Sequence, residues 1–338
     1  MRFLRFTLAG VALFLANAQV SRAADPPLPV VDLHVDLPYQ HNYEGRRFAQ
    51  GVGQFPVTEL ARGGVSGVVL PLFVPRKVSP SGPRMQDLES SYARVLSALY
   101  ESGAYAPPGC TPVPGKVQTF LAFEGAGPLA ENPESLTRWV ARGLKIVGLV
   151  HTWTNQLASS SGDPKASFGL TQSGRDIVRR AFGLGIAIDV SHASDLAVGD
   201  VIALARKEKG VVVATHSNAR ALADHPRNLR DEQIRAIAAT GGVIGVNFHG
   251  PFVVRGRPAT LDDVVLHVRH LLRVAGEDHV ALGSDFEGDI RPATGLASIK
   301  DYPKLEAALA KAGISRTVIA KVFAGNALRV LCTAARVQ

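Results

Sequence analysis

The sequence predicts an α/β protein whose strands close into a (β/α)8 TIM barrel, with additional helices at the C-terminal end. Eight short apolar runs of strand length recur along the chain, and helical patterns lie between most of them. This alternation is typical of βαβ units around a parallel sheet. Chemically reactive side chains end six of the runs, which favours a ring of strands, because an open sheet would gather its site at one switch point.

The predicted strands are short, apolar and followed by turn residues. They cover residues 29–36, 65–74, 117–123, 144–150, 186–191, 211–216, 243–248 and 279–285. The predicted helices repeat apolar residues at helical spacing and cover residues 85–101, 133–142, 171–183, 194–207, 231–239 and 261–275. Two segments rich in Pro, Gly and Ser, 75–84 and 104–116, are predicted to be exposed loops. Two or three further helices between residues 301 and 331 are expected to close the barrel.

The N-terminal segment has the layout of a secretory signal peptide. Arg2 and Arg5 precede an apolar core, residues 8–18, and the small residues Ser21 and Ala23 form a cleavage site. We expect residues 1–23 to be removed and residues 24–338 to form a single barrel domain, secreted or periplasmic. The apolar stretch is short for a bilayer span, so no stable membrane anchor is expected, a retained N-terminal anchor being the alternative.

Charge and cysteine content exclude some function classes. The formal net charge of +8 falls to +5 when the three arginines of residues 1–23 leave without any acid. The remaining basic residues are scattered, which argues against a nucleic-acid partner. The two cysteines, Cys110 and Cys332, are too few for a disulfide framework, and the sequence leaves open whether they pair.

Five metal-capable side chains stand at or just past the ends of apolar runs: His34, Asp36, Glu124, His192 and His216. Leaving a carboxylate or imidazole buried without a partner costs several kcal/mol, so one shared metal centre is the economical explanation. His34 and Asp36 are two apart on one strand and therefore face the same side. A bridging carboxylate and two further imidazoles suit a second ion. The pattern predicts a metallohydrolase.

Several segments resemble, in order, those of a known family. DLHVDLP, FEG, VHTWTNQLASSSGD, DVSHAS, THSNARAL…HPRNLRDEQI and HVALGSDFEG are similar to segments of the renal (membrane) dipeptidases, zinc peptidases among the amidohydrolase-like barrels. The similarity runs from about residue 30 to residue 331. Each motif is short, but six in order are specific.

The resemblance implies a centre of two Zn²⁺ ions, with His34 and Asp36 on one, His192 and His216 on the other, and Glu124 bridging them. A metal-bridging hydroxide would attack the peptide carbonyl of a small dipeptide.

The resemblance also implies roles for three further residues. His151 would touch the scissile carbonyl oxygen and stabilise the oxyanion, Arg227 would bind the substrate carboxylate, and Asp285 would accept and pass on a proton. Taken alone, His151 is as well explained as a core histidine and Arg227 as a surface arginine. The chain departs from the family pattern at Val35, at Glu287 and after strand 2, where LFVPRKVSP is expected to border the pocket.

Two alternatives remain open. The barrel could hydrolyse another amide, such as an N-acyl amino acid or a β-lactam, because a fold does not set a substrate. It could also be an inactive homologue that only binds metal. The sequence does not give the oligomeric state, although a homodimer is the commonest form.

Overall fold

The structure, a computed structural model, describes residues 27–332, so the predicted signal peptide lies outside the described residues. Eight parallel strands in the order β7-β6-β5-β4-β2-β1-β9-β8 form the barrel wall, and β3 pairs with β4 outside it. The strands are β1 Val30–Asp32, β2 Val65–Leu72, β3 Tyr105–Pro108, β4 Val117–Glu124, β5 Leu144–Gly148, β6 Ala187–Asp189, β7 Val212–Val213, β8 Ile244–Val246 and β9 Val280–Leu282.

The ring closes between β7 and β8 through a parallel bridge from Ala214 to Ile244. Ala214 N donates to Val243 O at 3.0 Å, and Gly245 N donates to Ala214 O at 2.7 Å. The strands approach closely here, since a Cβ on Gly283 would lie 1.7 Å from Thr215 O. The predicted (β/α)8 barrel is confirmed, although most strands are shorter than their apolar runs.

Helices surround the ring and follow most strands. They are α1 Leu37–Tyr43, α2 Met85–Ser102, α3 Ser135–Ala141, α4 Gln172–Gly183, α5 Asp195–Glu208, α6 Asp231–Ala239, α7 Gly250–Val253, α8 Leu261–Ala275, α9 Tyr302–Lys311, α10 Arg316–Ala320 and α11 Asn326–Cys332. A π-helical turn, Lys321–Gly325, joins the last two. Among residues 27–332, none of the helices combines the length and apolarity that a bilayer span requires.

The prediction of an exposed loop over 104–116 is wrong at its start, where β3 forms. Tyr105 pairs with Val117 and Pro108 with Thr119, and the Tyr105 ring is buried. Proline lacks an N–H donor but is tolerated at a sheet edge. A Pro-rich composition is therefore compatible with an edge strand as well as with the predicted loop.

The C-terminal helices cover one end of the barrel, as expected from the sequence. Ala324, Ala327 and Leu331 pack against interior residues such as Val31 and Phe120. Cys110 and Cys332 form a disulfide with their Cα atoms 5.6 Å apart, so the segment after β3 is bonded to α11. The pairing that the sequence left open is therefore present in the structure.

Candidate metal centre and active site

All eight residues singled out from the sequence lie at the C-terminal end of the barrel, where loops after different strands converge. Six of them line one cavity of about 460 Å³: Asp36, Glu124, His151, His192, Arg227 and Asp285. His34 and His216 are buried and contact these residues from below. Parallel strands end at this rim of a barrel, which explains why residues so distant in sequence meet.

The Glu124 carboxylate, at the end of β4, lies at the centre of the cluster. Its Oε1 is 3.0 Å from His192 Nε2, 3.5 Å from His34 Nε2 and 3.6 Å from His216 Nε2. His34 Nε2 is also 3.5 Å from Asp36 Oδ2. Among the described residues, two groups of donors share Glu124, one with His34 and Asp36 and the other with His192 and His216, and a third group combines His34, His216 and Asp285.

These separations fit metal ligation. Ligand atoms about 2.0–2.1 Å from a tetrahedral ion lie about 3.3 Å from one another, and the donor separations here are of that size. His34 Nε2 is buried and has no hydrogen-bond partner within the described chain. His192 Nε2 and His216 Nε2 are 3.0 Å apart, with Arg227 Nη2 3.4 Å from the former. A cation between the nitrogens would satisfy this arrangement of ligand atoms.

Burial dominates the electrostatics of the cluster. It lowers the pKa of His192 and of His216 well below the usual imidazole range, and Arg227 acts in the same direction. Both rings are therefore neutral, which is the form that binds metals. Burial also raises the pKa of Glu124 to about 8, against the opposing effect of His34. Burying these charges is costly, and a divalent cation would offset the cost for the carboxylates.

The Arg227 guanidinium is buried beside the cluster, contrary to the usual exposure of arginine. Only 8% of the residue is exposed, and Nε and Nη1 have no hydrogen-bond partner within residues 27–332. Its guanidinium carbon lies 5.4 Å from the centre of the Phe252 ring, which supports it from one side. A buried guanidinium with free donors can bind a carboxylate from a ligand.

Asp285, just after β9, takes a backbone conformation that is unusual for a residue with a side chain. Its φ is +66°, and its N–H donates to His34 O at 3.1 Å. Asn247 Nδ2 donates to Asp285 Oδ2 at 2.9 Å. The next turn requires glycine, since a Cβ on Gly288 would lie 2.6 Å from Asp36 Oδ2 and 2.8 Å from Asp285 Oδ1. The carboxylate is thus held in one orientation toward the cavity.

His151, in the loop after β5, lies on the cavity wall. Its Nε2 is 3.9 Å from Glu124 Oε1, farther than the corresponding atoms of the other three imidazoles. Phe73 packs against the ring with the centroids 4.2 Å apart, and Thr152 Oγ1 is 3.0 Å from Nδ1. Phe73 and Pro75 line the cavity, so the loop after β2 borders the pocket as the sequence indicated.

Sequence reasoning missed a polar network beneath the histidines. Asp189, at the end of β6, accepts hydrogen bonds from Thr215 Oγ1 at 2.5 Å and from Ser191 Oγ at 2.6 Å. Sequence reasoning also did not find that Asn247 orients Asp285. The available signal was an acid in an apolar run, three residues before a candidate ligand, as in the DVSH segment.

One family model matches nearly the whole chain. The model described as Membrane dipeptidase (Peptidase family M19) matches residues 21–338. An uncharacterized dipeptidase of Schizosaccharomyces pombe is 30% identical over 331 residues, which cover 89% of this chain and 80% of the relative.

Two solved structures share the fold over most of the chain. The probable dipeptidase PvdM from Pseudomonas aeruginosa has a TM-score of 0.82 and 24% identity, covering 92% of this chain and 96% of that one. A metallopeptidase from Rhodobacter sphaeroides, liganded with a phosphinate mimic of L-Ala-D-Ala, has a TM-score of 0.78 and 25% identity. That match covers 90% of this chain and 99% of the other.

Proposed function

The chain belongs to the membrane dipeptidase family, and from that premise we propose that it is a dipeptidase that works with two zinc ions. The observation that carries the proposal is the single cavity shared by metal-type ligands and a buried arginine whose Nε and Nη1 have no partner within residues 27–332. Such a cavity can hold a reacting amide bond and a free carboxylate at once. Metal-dependent hydrolysis of dipeptides uses both.

The ions would be held by the two groups of donors described above. His34 and Asp36 would hold one, His192 and His216 the other, and the Glu124 carboxylate would contact both. When bound, a pair of zinc ions supplies an activated water and polarises the carbonyl of the substrate. Zinc is preferred because imidazole and carboxylate ligands suit it.

Arg227 would bind the C-terminal carboxylate of the dipeptide. Its Nε and Nη1 have no partner within residues 27–332, so both can donate hydrogen bonds to a bound carboxylate. Desolvation strengthens this pair, since the guanidinium is buried. An anchor at one end of the substrate fixes the distance from its carboxylate to the amide bond.

His151 and Asp285 would handle the charge and the proton. The His151 ring would stabilise negative charge on the carbonyl oxygen by donating a hydrogen bond from Nε2. Burial and the neighbouring Asp36 raise the pKa of Asp285 to about 7, a range suited to accepting a proton from water and giving it to the leaving amine. Asn247 would keep the accepting oxygens oriented during both transfers.

The metallopeptidase from Rhodobacter sphaeroides binds a mimic of L-Ala-D-Ala, which supports one choice of substrate. We extend the proposal to dipeptides with a D-residue at the C-terminal position. Export after removal of residues 1–23 stays part of the proposal as a prediction from the sequence.

A second candidate is hydrolysis of a different amide, and Arg227 discriminates between the two. Mature protein loaded with zinc should hydrolyse L-L or L-D dipeptides and leave their C-terminally amidated twins nearly untouched. Equal turnover of the twins would overturn Arg227 as the carboxylate anchor. No turnover of any member, with two metals bound, would overturn the dipeptidase proposal.

A further inference from the structure

The cavity has different chemistry on its two sides. Arg227, supported by Phe252, provides positive charge on one side. Tyr39, Phe73 and Asp289 also line the cavity, on segments that follow β1, β2 and β9, whereas Arg227 follows β7, and we call these three residues the outer rim. If Arg227 binds the C-terminal carboxylate, the N-terminal residue of a dipeptide extends toward the outer rim.

The Asp289 carboxylate is fixed at this rim. Its backbone has a φ of +56°, and Gln40 Nε2 donates to Oδ1 at 3.2 Å. The same Gln40 nitrogen donates to Glu287 O at 2.6 Å, which holds the amide in place. Asp289 is exposed to the cavity mouth, so a ligand can reach its oxygens.

Within residues 27–332, Asp289 has no ion-pair partner, unlike the other acid near the rim. Glu44 is paired with Lys77, whose ammonium also lies 5.4 Å from the centre of the Tyr39 ring. The rim therefore already accommodates one alkylammonium group between an aromatic ring and an acid. Asp289 offers a second acid beside the same ring, since its carboxylate contributes to raising the pKa of Tyr39, after burial and Glu44.

We propose that Asp289 binds the cationic side chain of the substrate's N-terminal residue, so that dipeptides beginning with a lysine-like or arginine-like residue are preferred. The inference rests on the proposed dipeptidase function. The α-ammonium of the substrate is a less suitable partner for Asp289. It is close to the scissile carbonyl and therefore stays near the buried metal-type ligands. A long side chain extends from there to the exposed rim, with its methylene groups along Tyr39 and Phe73.

The test compares two dipeptides that differ only in charge, lysyl-alanine and norleucyl-alanine, with zinc-loaded enzyme. The ratio of their kcat/KM values should favour lysine and fall about fivefold in Asp289→Asn, the size expected of a partly exposed ion pair. Raising the ionic strength should lower the ratio for the wild type and have little effect on the variant. Asp163→Asn, which removes a half-buried acid outside the cavity, is the matched control and should leave the ratio unchanged.

Calorimetric binding of lysyl and norleucyl phosphinate dipeptide mimics provides a readout that does not depend on turnover. The lysyl mimic should bind more tightly to the wild type, and Asp289→Asn should remove the difference. A kcat/KM ratio that is the same in wild type and variant would overturn the inference while leaving the dipeptidase proposal intact. If no dipeptide is turned over, the dipeptidase proposal fails, and equal affinities for the two mimics overturn the inference separately.

Discussion

The Thr215 hydroxyl fixes the tautomer of His216, the histidine that follows it. Thr215 Oγ1 is 2.8 Å from His216 Nδ1 and donates its one proton to Asp189 Oδ2 at 2.5 Å. Because that proton is donated to Asp189, Thr215 Oγ1 can only accept a hydrogen bond from His216. His216 Nδ1 therefore carries the hydrogen, and Nε2 presents a lone pair to the cluster. Oγ1 also lies 3.5 Å from His34 Nδ1, so one hydroxyl contacts a histidine from each donor group.

Thr215→Val should therefore weaken metal binding while keeping the side-chain shape. Loss of an outer hydrogen-bond partner of a metal-binding histidine typically costs about 10- to 100-fold in affinity. Competition with a chelator, read as zinc retained per chain, measures the effect. Thr137→Val, at an exposed position on α3, is the control. Unchanged zinc retention in Thr215→Val would show that the hydroxyl does not orient His216.

His151→Ala should keep both metals and lose most of the turnover. The His151 ring is farther from Glu124 Oε1 than the other three imidazoles, so its removal leaves the two donor groups intact. Loss of one oxyanion donor typically reduces the rate by about 10²–10³-fold. Metal analysis and kcat on one dipeptide should be measured on the same sample. Zinc lost together with activity would identify His151 as a ligand instead.

The fold could be predicted because its strands are buried on both faces and leave uninterrupted apolar runs. Strand β3 escaped prediction, because Pro107 and Pro108 at a sheet edge resemble a loop in composition. The Cys110–Cys332 pair also could not be predicted, since a separation of 222 residues gives no information on distance. Topology, rather than local sequence, brings these segments together.

The sequence indicates some residues of the site more clearly than others. His34 and Glu124 stood out because a charged group at the end of an apolar strand is costly without a partner. Arg227 stood out only by family resemblance, since nothing local indicates that an arginine after a proline is buried. Asp189 and Thr215 were missed, because each is adjacent to a more conspicuous histidine segment. The roles of all these residues stay predictions until variants are measured.

Glu287, one of the departures from the family pattern, connects the catalytic segment to the loop before β2. Its Oε1 accepts from Gln54 N at 2.6 Å and from Phe55 N at 2.7 Å, and Oε2 pairs with Arg46 at 3.0 Å. Glu287→Ala leaves two amides unpaired at this largely buried position and should lower the free energy of unfolding by about 1–3 kcal/mol. Urea titration of zinc-loaded protein measures the change.

Glu287→Gln is the matched variant, because its amide oxygen can still accept from both backbone donors. It should retain more stability than Glu287→Ala. Gly53→Ala is an independent check on the contacts of Glu287. The new Cβ would lie 2.4 Å from Glu287 Oε1, at a position where φ is +99°. Equal stability of Glu287→Ala and wild type would show that the loop is held by other contacts.

Asp263 gives α8 a pH-dependent contribution to stability. The hydrogen bond from Arg257 is the largest cause that lowers its pKa, to about 2, and Thr260 adds backbone and side-chain donors. Because the folded pKa lies below the unfolded value, the contribution is complete above about pH 4 and is lost as pH falls toward 2. Asp263→Asn should be less stable than wild type at pH 6, by about 0.5–2 kcal/mol, the size of a helix cap.

The difference in stability between wild type and Asp263→Asn should narrow as the pH is lowered from 5 to 2.5. Protonation of Asp263 then removes from the wild type the charge that the variant already lacks. Measuring wild type and variant at each pH cancels the titration of the metal centre, which is common to both. Asp262→Asn, one position earlier in the first turn of α8, is the control and should show a smaller difference. A difference in stability between wild type and Asp263→Asn that stays constant over this pH range would contradict the pairing of a charged Asp263 with Arg257.

Replacing both Cys110 and Cys332 by serine should destabilise the protein. The bond closes a loop of 222 residues, and in the chain-entropy account a cross-link of this length raises the free energy of the unfolded state by about 5 kcal/mol. The double variant should unfold at a lower temperature, and wild type should expose two titratable thiols only after reduction. Reduced wild type should match the variant in Tm, which separates loss of the bond from any effect of the serines. Two free thiols in unreduced, denatured wild type would contradict the pairing itself.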